Sequence, residues 1–162
     1  MGTRGCVCWR EKDGSWLGAY NHFDSYPAGL GEEVWQRCRD KGSMEYLIER
    51  LKRYRRWECM VDCREPVEED KLFDPRYHPV FMEWVYLLDP KSNTIEVYSN
   101  CEVPPTKKAP EGYIVDAGYT HVLVEKISCC NGRPDFDTIR RVNTEEVFGK
   151  VLAQNRKRAS VK

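Results

Sequence analysis

Four side chains able to pass a proton or donate a hydrogen bond, Tyr20, His22, Asp24 and Tyr26, alternate within the segment YNHFDSYPAGLG. On a continuous strand, residues two apart share a face, so His22 and Asp24 are expected side by side. An aspartate in that position fixes the imidazole tautomer and raises its basicity, which suits general-base chemistry. Tyr20 and Tyr26 are then placed to orient or protonate a substrate. The plainer use of the same residues is a turn: Asp24 or Ser25 hydrogen-bonds the backbone while His22 completes a polar patch. Asn21 belongs to the same cluster, and a Pro-Ala-Gly-Leu-Gly turn follows. Gly29 and Gly31 let the backbone come close, so that exposed amides there would hold an anion. The Lys and Ser or Thr that complete a phosphate-binding P-loop do not follow.

Other chemistry-bearing residues are scattered. Glu83 sits in the otherwise apolar run VFMEWVYLL; a carboxylate there is costly to ionise unpaired, and Arg4 is the expected partner. Reaching water at a sheet edge is the other solution. Eight cysteines occur at spacings without the matched pairs of a zinc site, so they read as free thiols acting as small hydrophobes, with no metal and no cofactor expected. Arg50, Lys52, Arg53, Arg55 and Arg56 crowd the end of a helical pattern. This run reads first as a solvated helix face, and otherwise as a contact for a phosphate or an acidic macromolecular partner.

The elements that must position these groups follow from periodicity. Residues 3–9 read as a strand, REKDGS as a turn with Asp13-Gly14 at positive φ, and WLGAYNHF as the returning strand covered on both sides. A helix is expected from Gly31 to about Asp40, and a second one capped by Ser43 with Met44, Leu47, Ile48 and Leu51 on its apolar stripe. A Pro-rich acidic excursion spans about 64–79. VFMEWVYLL and TIEVYS form a hairpin about DPKSN, residues 101–112 a loop, and YTHVLVEKIS a further strand. A final helix begins at Asn143 or Thr144, and residues 156–162 form a basic tail. The order predicts an α+β fold, mainly antiparallel sheet built from hairpins with helices packed outside, in a single domain over residues 1–155.

The totals narrow the function classes. At 162 residues, one domain with a full core is expected. Lys plus Arg equals Asp plus Glu at 26 each, which argues against generic nucleic-acid binding and leaves homo-oligomer formation open. No apolar stretch is long enough to span a membrane, and no secretory leader is evident; a cytoplasmic protein is expected.

The blocks MGTRG, YNHFDSYPAGLG and EWVYLLDPKSNTIEVY resemble a poorly characterised family of small phage and bacterial proteins. That resemblance covers about a third of the chain and implies no activity. The layout also loosely resembles N-terminal-nucleophile hydrolases, which implies attack by a residue such as Thr3 or Cys6, assisted by His22 and Asp24. Thr3 becomes terminal only if Met1 and Gly2 are both removed. Three readings therefore stand. The first is a binder of a small anionic, nucleotide-derived molecule held by Arg4, Tyr20, Asn21, His22, Asp24, Tyr26, Gly29, Gly31 and Glu83. The second is an amide or ester hydrolase. The third is an interaction module using the basic helix 44–57.

Overall fold

A computed structural model describes residues 3–76, 82–102, 113–116 and 119–141. The expected final helix, the basic tail and most of the 101–112 loop lie outside the described residues. The architecture is α+β: six strands form one mixed, open sheet, with helices inserted between its second and third strands. Strands β1 (Gly5–Arg10) and β2 (Trp16–Asn21) form the first hairpin, β3 (Trp84–Asp89) and β4 (Thr94–Glu102) the second, and β5 (Tyr113–Asp116) pairs with β6 (Tyr119–Ser128). The spatial order is β2-β1-β3-β4-β6-β5, and only β1 and β3 run parallel. Helices α1 (Glu32–Arg37), α2 (Ser43–Tyr54) and α3 (Trp57–Asp62) lie in the connection between the hairpins.

Alternation along β1 explains why the sheet is covered on both faces. Val7 and Trp9 join Ala19, Trp84, Tyr86 and Leu88 on the face packed by Leu30, Val34, Trp35, Met44, Leu47 and Leu51 of the helical layer. Cys6 and Cys8 point the other way, into a smaller core with Trp16, Met82, Val85, Leu87 and Tyr98. Full burial of such apolar side chains contributes roughly 1.5–3 kcal/mol each, so the Cys6 thiol serves packing, and no solvent reaches it.

Local chemistry moves several expected boundaries. In the first hairpin only Gly14 takes positive φ, at 86°, and Asp13 instead accepts from the Ser15 amide. One turn of π-helix, Pro27–Gly31, precedes α1, which ends at Arg37. Ser43 does not cap α2: its hydroxyl donates back to the Asp40 carbonyl, and Gly42 stands at the cap position with φ 81°. The basic helix is broken at Arg55, whose left-handed φ of 61° ends α2 before α3 begins. Arg4 does not pair with Glu83. Its carbonyl accepts the Glu83 amide at 2.9 Å, which sets the first strand beside the second hairpin, while the Glu83 carboxylate lies 3.8 Å from Arg141.

One buried histidine is expected to make the fold acid-sensitive. His121 is 3% exposed; its Nε2 donates to the Met82 carbonyl at 2.7 Å and its Nδ1 has no partner among the described residues. Burial pushes this imidazole below its ordinary value, against the smaller upward pull of the Met82 hydrogen bond. The folded protein therefore binds the proton more weakly than the unfolded chain. This contribution is complete above the unfolded value of about 6.5 and is lost as pH falls below it. The urea midpoint should drop between about pH 7 and about pH 5 more steeply in the wild type than in His121→Gln. Equal acid sensitivity in the two proteins would contradict this assignment.

Candidate functional site

The YNHFDSYPAGLG segment leaves the end of β2 and immediately stops being a strand, because Asp24 adopts φ 52°. The shared face expected for His22 and Asp24 is thereby lost, and no hydrogen bond joins them. The imidazole instead finds Tyr20, with Oη and Nδ1 2.7 Å apart, and packs edge-on against Phe23. Asn21 is buried and does the work of a turn, donating to the Phe23 carbonyl at 2.6 Å and the Ser25 hydroxyl at 2.8 Å. The amides of the glycine turn are already used. Gly29 donates to the Tyr26 carbonyl at 2.9 Å, Leu30 to the Asp24 carbonyl at 2.9 Å, and Gly31 weakly to Tyr26 at 3.5 Å. A Cβ on Gly29 would strike the Asp24 carbonyl oxygen, and one on Gly31 would press on the Tyr86 ring at 3.0 Å. Both glycines are thus close-packing positions, and the expected anion nest is not formed.

The residues expected to form one site line separate concavities. Thr3, Tyr26 and Glu83 line a cavity of about 390 Å³ closed by Phe136 and Arg141. Asn21, Asp24, Tyr26 and Gly29 border another of about 280 Å³ against Trp57 and Glu58. Arg4 and Tyr20 line a third of about 370 Å³ with Arg55, Arg56, Glu69, Asp70, Lys71 and Phe73. The hydrolase candidates Thr3, Cys6, His22 and Asp24 do not converge. Arg4 and His22 do approach one another through Tyr20. The last pair of the first hairpin joins Gly5 to Asn21 and the next joins Cys6 to Tyr20. Alternation then puts Arg4, Tyr20 and His22 on one side of the hairpin.

The third concavity is built by chain segments far apart in sequence. After the left-handed Arg55, Arg56 is extended and bridges to Tyr20, so the helix junction runs alongside the open edge of β2. Phe73 exchanges both backbone hydrogen bonds with Gly18 at 2.7 and 3.0 Å, laying the acidic excursion along the same edge. Glu58 fastens the junction to the end of β2: one carboxylate oxygen accepts the His22 amide at 2.6 Å, the other the Arg56 guanidinium at 2.8 Å. Arg56 also reaches Asp70 at 3.6 Å and lies 5.4 Å over the Tyr20 ring. Arg56 is thus electrically satisfied, whereas Arg4, Arg55 and Lys71 have no ion-pair partner among the described residues. The rest of the basic run is dispersed: Arg50 donates to the Met60 carbonyl, Lys52 meets Glu49 and Arg53 meets Glu65.

Glu58, Lys71 and Phe73 were not expected at this site. For Lys71 and Phe73 the sequence signal is the Leu72-Phe73 pair, an apolar interruption of a mostly polar excursion. The chain matches no protein-family model, no curated protein and no solved structure. Among the described residues, no helix is long and apolar enough to cross a membrane.

The turn's architecture is open to a direct check. Asn21→Ala strands a buried hydroxyl and a carbonyl and should cost about 1–3 kcal/mol in urea unfolding. Exposed Asp24→Asn should stay within about 0.5 kcal/mol. The reverse ranking would contradict the roles given to these two residues.

Proposed function

We propose that the protein is a small-molecule binder that holds a phosphorylated, nucleotide-derived anion in the cleft beside β2. The observation that carries this reading is the convergence of Arg4, Arg55 and Lys71, none with an ion-pair partner among the described residues, on a concavity that also presents Tyr20 and Phe73. Unpaired cations scattered over a surface mean little. Gathered around an aromatic-walled cleft of ligand size, they match what a phosphate joined to a planar base requires. Glu69 is the opposing charge not already engaged by Arg56, so the cleft retains a positive balance. Histidine 22 acts here through Tyr20, and Glu58 through Arg56.

The hydrolase and interaction-module readings have no comparable support, since their residues are dispersed. We place the protein in the cytoplasm, a reading supported by seven described cysteines that are all free. We also propose, from the resemblance of the MGTRG, YNHFDSYPAGLG and EWVYLLDPKSNTIEVY blocks, that the protein is of phage or bacterial origin.

Calorimetric titration with ADP and inorganic pyrophosphate tests the reading. Arg4→Ala and Arg55→Ala should each weaken binding about tenfold or more, equivalent to at least 1.4 kcal/mol. ADP should bind more tightly than pyrophosphate, and Phe73→Ala should erase that difference. Absence of binding, or affinities indifferent to both arginines, would overturn it.

A further inference from the structure

The pairing of Tyr20 with His22 asks more of the cleft than retention of a ligand. Tyr20 lines the cleft, and its hydroxyl oxygen is 2.7 Å from the imidazole Nδ1. Glu58 holds the backbone of His22 through the amide, and the guanidinium of Arg56 covers the phenol ring. Burial raises the Tyr20 pKa, with Arg4 and Arg56 pulling the other way and Glu58 adding to the rise. The phenol is therefore protonated at neutral pH and becomes a nucleophile only when a base takes its proton. A nucleophile hydrogen-bonded to a base is the core of covalent catalysis, and here Glu58 holds the backbone that carries the base. Cations beside it suit the negative charge that develops on a transferring phosphoryl group.

We propose that Tyr20 is the nucleophile of a phosphoryl-transfer reaction in this cleft, with His22 as its base and an activated nucleotide phosphoester as the substrate class. The inference rests on the anion-binding reading of the same cleft. In the first step the Tyr20 Oη–phosphorus bond forms as the bond from phosphorus to the leaving oxygen breaks. The phenol proton passes to His22 Nδ1, and the leaving oxygen departs with its electron pair. Arg4 and Arg55 neutralise the non-bridging oxygens. In the second step a water oxygen bonds to phosphorus, the Tyr20 Oη–phosphorus bond breaks, and the imidazolium returns its proton to the phenolate. The proton lost by the water goes to solvent, leaving the nucleoside monophosphate as product.

The p-nitrophenyl ester of thymidine monophosphate is a suitable probe, used with the full chain. The wild type should release p-nitrophenolate, and an acid-quenched reaction should yield a Tyr20-containing peptide carrying one thymidylyl group. Tyr20→Phe should abolish both signals, and His22→Asn should slow release by about a hundredfold. Mapping the adduct in the wild type makes the result independent of how the variants fold. Pyrophosphate binding by the wild type is measured alongside. Binding without release or adduct overturns the catalytic role and leaves the binding reading standing. Failure to bind removes both, and release undiminished in Tyr20→Phe assigns the chemistry to another residue.

Discussion

The carboxylate of Glu58 holds together the part of the molecule on which the functional argument depends. Its two oxygens accept from different segments, the backbone of His22 just beyond β2 and the side chain of Arg56 between α2 and α3. Both groups are only partly exposed, with 20% of the Glu58 side chain and 31% of that of Arg56 accessible. In such surroundings a charged hydrogen bond is worth more than a surface ion pair, of order 1.5–3 kcal/mol. Without that tie the helix junction would keep its backbone bridge to Tyr20, and Arg56 would be held by Asp70 and the Tyr20 ring alone.

The site is a by-product of solving an edge-strand problem. β2 is one of the two outer strands of the sheet, and an unprotected edge invites pairing with another chain. Here Arg56 bridges one end of it, Phe73 pairs with its middle, and Asp74 accepts the amide of Trp16 at its start. The two covering segments meet over the smaller core, where Tyr20 and Phe73 pack against Cys6, Cys8 and their neighbours. Their polar side chains are left around the gap between them. Asp70 belongs to this closure, since it receives Arg56 and the Val67 amide together.

Much of this fold was legible because strand alternation and helical spacing are local signals. The two hairpins, the β6 strand and the apolar stripe of α2 all follow from them. β5 was not legible: Tyr113–Asp116 is only four residues long and follows directly on the Pro-rich stretch 101–112, so the spacing assigns it to no element. Neither was the break at Arg55, where a non-glycine residue takes the left-handed conformation with no composition cue. The site was half legible. Arg4, Tyr20 and His22 share a side by alternation, but Asp24 turned the chain away and split the dodecamer between neighbouring concavities. Arg55, Lys71 and Phe73 come together only through tertiary contacts, which no spacing along the chain encodes.

The central claim is that an anion sits between the N-terminal strand and the helix junction. Anomalous diffraction from crystals soaked in selenate addresses it most directly. The account predicts a selenium peak within hydrogen-bond reach of both the Arg4 and Arg55 guanidinium groups. A well-ordered cleft with no peak there, or selenate bound only at other surfaces, would contradict it.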